Sequence, residues 1–416
     1  MAEQLAAYGL RPTERGDPDV VVVNTCTVTR EATKASRMAI RRAARNHPDA
    51  KVVVVGCYAV SDPDEIWSID GVDVVLGNDV KESFADALGM SAPTAPLLQI
   101  GGPGRNAVPH QEQQPVRVRA NLKVQTGCDE WCTFCIIPTT RGPLRSMDHG
   151  RLISEARARV AAGARELVLT GVHLGKYGYD SGGDERELIR LLRSLLEIDG
   201  VWRIRLSSIL SNHLTDTVVE FLASEPRICP YLHVPLQSGD DRILEAMHRP
   251  YRIDNYVASV ERAQQAIPGL ALATDIIVGF PGETEDAFNS TMDVVRRVRF
   301  SKLHVFRYSA RPGTPAADMA DQVSSEARKE RSKRLIGLGN EIRGAFLSGH
   351  VDRTLEVLVE DERVVDGVGV ASGQTGDYVR VFFEGSDVLG AMVSVEGERI
   401  RADGIAGRLA PVAARR

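Results

Sequence analysis

The sequence predicts an α/β protein built in three parts: an N-terminal α/β domain with a parallel sheet, a second α/β domain with a parallel sheet or barrel, and a small all-β barrel. Three observations carry this. Two β-branched runs bracket a helical stretch near the N-terminus, apolar strands alternate with helical segments from Val116 to about Leu347, and short strands with glycine turns follow His350. The boundaries expected are 1–90, a linker at 91–115, 116–347 and 348–416.

In the first part, Asp-Pro-Asp-Val-Val-Val-Val-Asn-Thr-Cys from Asp17 and Ala-Lys-Val-Val-Val-Val-Gly-Cys-Tyr from Ala50 each read as a buried parallel strand, because a strand covered on both faces needs an unbroken apolar run. Glu31 to Asn46 between them has helical character. Strand, helix, strand is a parallel crossover, and ligands of open α/β sheets gather beyond the carboxyl ends of the strands. Cys26 and Cys57 stand at those two ends. Either one alone reads equally well as a buried thiol, and the matched pair reads as ligands. Ala2 to Tyr8 reads as the helix of another crossover whose strand would precede Met1, so Met1 is expected to be an internal methionine of a longer protein.

Met90 to Pro115 is rich in Pro, Gly and Gln without periodicity, as linkers are. In the second part the strand candidates are Ala120 to Val124, Glu166 to Leu169, Arg203 to Ser207, Tyr231 to Pro235, Ala271 to Val278 and Lys302 to Phe306. In the third they are Thr354 to Val359, Tyr378 to Phe383 and Ala391 to Val395.

Composition limits the function classes. The chain has 416 residues, 43% hydrophobic and 26% charged, enough for a packed core in two or three domains. No stretch approaches the roughly 18 apolar residues of a membrane helix, and Met1 to Leu10 is not a secretory signal, so a cytoplasmic protein with no membrane partner is expected. A net charge of -5 argues against a protein that coats nucleic acid indiscriminately. Six cysteines are too few for a disulfide scaffold, and three of them fall within eight positions, which favours metal chemistry.

Those three are Cys128, Cys132 and Cys135, directly after the strand candidate Ala120 to Val124. Three thiolates hold three corners of a four-iron cube and leave one iron open to a substrate. A zinc site would want a fourth Cys or His close by, and none lies within ten residues of the triplet.

The spacing of three residues and then two, with Phe134 before the last cysteine, resembles the cluster motif of the radical S-adenosylmethionine superfamily. With it as anchor, nearly the whole chain resembles the methylthiotransferase family. Asn24-Thr-Cys26-Thr-Val, Gly56-Cys57-Tyr, Cys135-Ile-Ile-Pro138, Arg141-Gly142 and Arg145-Ser146 carry the likeness. Further on come Leu169-Thr-Gly-Val-His-Leu-Gly-Lys-Tyr-Gly178, Arg205-Leu-Ser-Ser-Ile209, His233-Val-Pro-Leu-Gln-Ser-Gly239, Gly279-Phe-Pro-Gly-Glu-Thr284 and Tyr308-Ser-Ala-Arg-Pro-Gly-Thr314.

The resemblance implies a doubly wound N-terminal domain lacking its first strand, a central radical-SAM partial (β/α) barrel and a C-terminal TRAM barrel that binds RNA. It also implies a [4Fe-4S] cluster on Cys128, Cys132 and Cys135 that binds S-adenosylmethionine. A second, auxiliary [4Fe-4S] cluster would use Cys26 and Cys57 if a third cysteine lies upstream. The Thr170-to-Gly175 and Arg205-to-Ile209 forms resemble the branch that adds a methylthio group to C2 of N6-threonylcarbamoyladenosine, next to the anticodon of tRNA. The other branches act on isopentenyladenosine in tRNA or on a ribosomal-protein aspartate. A non-catalytic RNA-binding iron–sulfur protein is the reading from a different class. An electron donor of reductase or flavodoxin type and a sulfur source complete the expected partners. Arg307 stands where the family usually has proline.

Thr170, Gly171, Ser207, Gln237 and Gly279 end or follow strand candidates, at the catalytic face of such a barrel, and are expected to contact the cofactor beside Phe134. For the glycines, tight turns are the plainer explanation. His173 and His233 read as satisfied polar groups and Cys229 as a small apolar side chain. Arg30, Lys34, Arg37, Arg41 and Arg45 recur every three or four residues and lay a basic stripe along one helix, which fits either tRNA phosphates or an ordinary solvated face. From His350 onward twelve acids face eight arginines and no lysine, so RNA binding there needs Arg380, Arg399 and Arg401 to share a face.

Overall fold

The computed structural model describes residues 17–82, 117–365 and 367–410, with Leu5, Leu10 and Thr13. The expected linker at 91–115 lies outside the described residues, as does the expected helix over Ala2 to Tyr8 apart from Leu5. The described chain forms two compact units. One gathers residues up to 82 with 127–143 and 309–318, the other 117–126, 144–308 and 319–410.

The first unit holds a parallel sheet of β1 (Val20–Thr25), β2 (Lys51–Gly56) and β3 (Val74–Leu76), in that order. β2 lies in the middle and is buried on both faces, which is why it reads as Val-Val-Val-Val. Val52 and Val54 pack against Ile40 and Ala43 of the helix Arg30–Asn46 and against Tyr58 and Ile66. Val53 and Val55 pack on the opposite face with Val20, Val22, Val74, Leu76 and Leu5. Each buried valine contributes roughly 1.5–3 kcal/mol. Thr29 starts the helix by accepting the Ala32 N–H at 3.1 Å.

In the second unit, β4 (Arg119–Lys123), β7 (Glu166–Thr170) and β8 (Arg203–Leu206) pair in parallel, as do β9 (Tyr231–His233), β10 (Ala271–Val278) and β11 (Lys302–Arg307). Parallel bridges of Ile204 with Ile228 and of Ser208 with His233 join the two triplets into one open six-stranded sheet. Between β4 and β7, a short hairpin pairs β5 (Gln125–Thr126) with β6 (Arg145–Ser146). The period of two sorts the side chains. Leu122, Leu167, Leu169, Ile204, Leu206, Leu232, Leu272, Ile276 and Val278 face the helices and form the main core. The alternate residues face the other way, on the concave side, and most of them are polar. Arg307 is exposed at the end of the edge strand β11, a place where proline is tolerated as well.

The same unit contains a closed barrel of β12 (Thr354–Val365), β13 (Val368–Gln374), β14 (Arg380–Glu384), β15 (Met392–Arg401) and β16 (Gly404–Leu409), in the order β12-β13-β14-β16-β15. Its core is Val357, Val359, Val379, Val381, Phe383, Val395 and Ile405. β13 and β16 were absent from the expected strands because their glycines read as turns. Gly373 and Gly407 are instead strand positions where a Cβ would sit 2.0 Å from Leu358 O and 2.2 Å from Glu396 O. β14 starts later than expected because Tyr378 takes a left-handed backbone, φ 68°. Among the described residues, no helix is long and apolar enough to cross a membrane.

Candidate metal centre

In the first unit, Thr25 and Gly56 are paired in register at the ends of β1 and β2, so Cys26 and Cys57 each follow by one residue on neighbouring strands. Gly56 has φ 121°, and a Cβ there would lie 2.3 Å from Thr25 O, so only glycine lets the chain turn into Cys57. Cys57 is buried and opens the helix Cys57–Ser61. Burial alone would raise its pKa. The Arg141 Nε–H and the Asn78 amide, 3.5 and 3.4 Å from its sulfur, outweigh burial and bring the pKa below the ordinary thiol value. Asn78 also donates to Thr140 O at 2.9 Å, tying this sulfur to the helix Ile137–Arg141 that follows the cysteine triplet.

Cys26 is exposed, and its backbone is pinned by Ser36, whose hydroxyl accepts the Cys26 N–H and donates to Cys26 O, both at 3.0 Å. The next turn is held by Arg311. Its buried guanidinium donates to Thr27 O at 3.2 Å and to Thr33 Oγ1 at 3.0 Å. In the sequence Arg311 is one residue of a family-like motif with no evident task, because spacing along the chain does not reveal a partner this remote.

The triplet lies on a loop anchored at both ends. Gly127 has φ 69° and leaves a Cβ only 1.7 Å from Pro143 O, while the Cys128 N–H donates to Gly142 O at 3.2 Å. The Cys135 N–H donates to Cys132 O at 2.9 Å, and Ala316 N–H closes on Thr133 O at 2.9 Å. Cys132 is buried; Cys128, Cys135 and Phe134 are half-buried. Burial raises the Cys128 pKa, and the nearby Cys132 sulfur raises it further. Sulfurs that repel one another as thiolates are the donor set that a cationic iron–sulfur core neutralises, so the three residues fit such a group. No cysteine among the described residues, which include all six, is in a disulfide.

The strand-end residues belong to the second unit. Thr170 Oγ1 donates to Leu122 O at 3.3 Å. Gly171 leaves room for buried Gln125, whose Oε1 accepts the His173 N–H at 2.8 Å. Gln237 holds a left-handed backbone, φ 67°, inside a run bridged to β10. The N–H of Gly279 donates to Glu283, and a Cβ there would lie 2.1 Å from Arg328 Cγ, so packing alone demands glycine. Ser207 Oγ is buried and has no hydrogen-bond partner among the described residues. Cys229 is buried near the charged groups of Arg205, Glu166 and Arg203 rather than in a purely apolar setting, and burial pushes its thiol up to about 11.

One cluster escaped sequence reasoning. At the amino-terminal end of the concave face, fully buried Glu166 binds Arg119 Nε at 2.9 Å, Arg203 Nε at 2.5 Å and Arg205 Nε at 2.8 Å. The arginines continue into the small barrel: Arg203 donates to Gln374 O, Arg205 to Thr375 O and Gly376 O, and Arg119 to Tyr378 Oη and Glu360. Arg205 also stacks on the Tyr378 ring, 4.4 Å from its centroid. Arg205 of the Arg-Leu-Ser-Ser-Ile segment is thus part of a structural floor.

Of the basic stripe, Arg30, Lys34, Arg41 and Arg45 are exposed, whereas Arg37 is paired with Glu65. On the small barrel, two of the three expected arginines come together: the guanidiniums of Arg380 and Arg401, though not that of Arg399, lie over the Phe382 ring, at 5.2 and 4.5 Å.

Comparison with known proteins places these features in context. Residues 122–295 match the Radical SAM superfamily, and residues 1–77 match the uncharacterized protein family UPF0004. The threonylcarbamoyladenosine tRNA methylthiotransferase MtaB of Bacillus subtilis (strain 168) is 40% identical over 398 residues, covering 94% of this chain and 88% of its own. The protein of the same name from Thermotoga maritima is 35% identical over 407 residues, covering 97% and 92%. The tRNA-2-methylthio-N(6)-dimethylallyladenosine synthase of Sphingopyxis alaskensis is 38% identical over 367 residues, covering 86% and 82%. Among solved structures, the radical S-adenosylmethionine methyltransferase TsrM from Kitasatospora setae superposes with a TM-score of 0.53 at 16% identity. It covers 75% of this chain, which spans 65% of that one, and the likeness is one of fold.

Proposed function

The chain belongs to the radical SAM methylthiotransferase family, a group of transferases that work with an iron–sulfur cluster and S-adenosylmethionine, and on that premise we propose that it adds a methylthio group to C2 of N6-threonylcarbamoyladenosine next to the anticodon of tRNA. The observation that carries the substrate is the near end-to-end match at 40% identity to a relative named for that nucleoside. A second reading, isopentenyladenosine, is favoured by the 38% identity to the dimethylallyladenosine synthase.

In this reading Cys128, Cys132 and Cys135 hold the cluster that binds S-adenosylmethionine. Cys26 and Cys57, with one further ligand, hold an auxiliary cluster. When bound, these groups supply a carbon radical able to take hydrogen from an adenine carbon, and the sulfur that replaces it. The chain's own residues do the rest. Arg141 and Asn78 keep Cys57 ready to ligate as a thiolate, and Arg311 holds the turn after Cys26. Gln125 shapes the turn after β7, beside Thr170 and Gly171. Lys34, Arg41 and Arg45 meet RNA phosphates. The two guanidiniums lying over Phe382 are suited to receive a base, because guanidinium planes stack on one. An electron donor of flavodoxin or reductase type and a sulfur source act with it, in the cytoplasm.

The test is direct. After anaerobic reduction with S-adenosylmethionine, the Cys132→Ala protein should form no 5′-deoxyadenosine, and undiminished product would overturn the assignment. Nucleoside analysis of tRNA from a deletion strain, with and without the restored gene, should show the methylthio group on threonylcarbamoyladenosine. Its appearance on isopentenyladenosine would select the second reading.

A further inference from the structure

The concave face of the six-stranded sheet is closed at one end by the Glu166 network. Farther along, on β9, β10 and β11, it carries a layer of polar side chains. Asp275 of β10 and His304 of β11 are direct partners in register, and His233 ends the neighbouring strand β9. The His233 and His304 rings stack, with centroids 5.4 Å apart and planes 6° from parallel. The ring nitrogens and the carboxylate of the three residues come within 4.8 Å of one another.

This layer differs from the floor beneath it in one respect. In the floor every group has a partner, whereas here His233 Nε2 lies 3.0 Å from Asp275 Oδ1 without the alignment of a hydrogen bond. Buried polar atoms of a native protein are nearly always satisfied, so His233 Nε2, unpartnered on this face, points to a ligand that completes it. Lys123 stands on the same face at the end of β4 and supplies a cation.

We propose that His233, Asp275 and His304 form the pocket that reads the polar substituent on N6 of the target adenosine. The proposal rests on the substrate reading above and names the residues that enforce it. A threonylcarbamoyl group offers N–H donors, a carbonyl, a hydroxyl and a carboxylate, which two imidazoles and a carboxylate can match. An isopentenyl group offers only hydrocarbon. Placed here it would strip water from all three side chains and return no hydrogen bond. Sites built to pair with polar groups reject analogues that lack them by about ten-thousand-fold. His233 stands at the carboxyl end of β9, the end at which parallel sheets bind their ligands, and Asp275 and His304 lie deeper, midway along β10 and β11.

The test compares two anticodon stem-loops, one carrying N6-threonylcarbamoyladenosine and one N6-isopentenyladenosine, as substrates of the reconstituted holoenzyme. The measured quantity is the ratio of their kcat/KM values, with dissociation constants alongside. His304→Leu should lower the ratio at least about a hundredfold, and the polar His304→Gln should recover at least about tenfold of that loss. A ratio unchanged in His304→Leu overturns the pocket, whether or not both rates fall together. So does one equivalent of a divalent metal that the wild type retains and His304→Leu lacks, since the same three side chains make a two-histidine, one-carboxylate set. A wild type that prefers the isopentenyl stem-loop defeats the substrate reading instead, an outcome seen before any variant is made.

Discussion

Replacing Glu166 with glutamine tests the closed floor of the concave face. The side chain has 0% exposure, and those of Arg203 and Arg205 are 8% and 2% exposed, so no solvent takes over when the carboxylate loses its charge. Removing one partner of a buried ion pair typically costs about 3–5 kcal/mol, and a glutamine that keeps the shape should fall near the lower figure. Proton linkage gives an independent estimate. Burial alone would raise the Glu166 pKa, but the guanidiniums of Arg205, Arg203 and Arg119 outweigh it and bring the value to about 2, against 4.5 for an ordinary glutamate. That difference corresponds to about 3 kcal/mol. Because the folded pKa lies below the ordinary one, the stabilisation is complete above about pH 4.5 and disappears as the pH falls toward 2. At pH 7, Glu166→Gln should lower the apparent melting midpoint by roughly 6–12 °C, at about 2–4 °C per kcal/mol for a unit of this size. The gap between wild type and variant should then narrow steadily between about pH 5 and pH 3. A midpoint within about 2 °C of wild type at pH 7, or a gap indifferent to acid, would refute the claim that this carboxylate holds the sheet and the small barrel of the unit together.

Two further outcomes follow from local geometry. In Gly127→Ala a methyl group must enter 1.7 Å from Pro143 O at φ 69°, so the cysteine loop is forced to move; the left-handed backbone alone costs about 1–2 kcal/mol. Iron bound per chain after anaerobic reconstitution should fall well below wild type, and an equal iron content with an unchanged unfolding midpoint would show that the loop needs no glycine there. Reversing Arg380 and Arg401 beside Phe382 to Glu should weaken tRNA binding and flatten the plot of log affinity against log salt by roughly 0.7–0.9 for each phosphate that is no longer neutralised. A slope equal to wild type would remove this face from the RNA interface.

The metal centre was legible because its chemistry is local. Three thiols in eight positions need no fold to be recognised, and two cysteines after two β-branched runs sit at strand ends in whatever sheet those runs join. Strands covered on both faces announced themselves equally well, as Val52 to Val55 do. What could not be read were residues whose roles depend on partners far along the chain. Arg311 reaches back to Thr27, and Asn78 joins Cys57 to Thr140. The glycines of β13 and β16 looked like turns because their neighbours across the barrel, which exclude a Cβ, are remote in sequence.

In β7 and β8, Glu166 and Val168, or Arg203 and Arg205, alternate with the apolar residues that face the helices, and in a two-layer protein their face would be solvated. Here the face opposite the helices is covered at one end by the small barrel, whose loop carbonyls from Gln374, Thr375 and Gly376 accept the arginine N–H groups. A single buried carboxylate then balances the cations that reach across. On the neighbouring strands β9, β10 and β11 the same face carries His233, Asp275 and His304, which are only half-buried. One alternating pattern therefore yields a sealed ionic floor at one end of the sheet and a ligand-facing layer at the other. The difference is set by which polar groups find partners within the chain. Those that do stabilise the fold, and those that do not are the ones a substrate must complete.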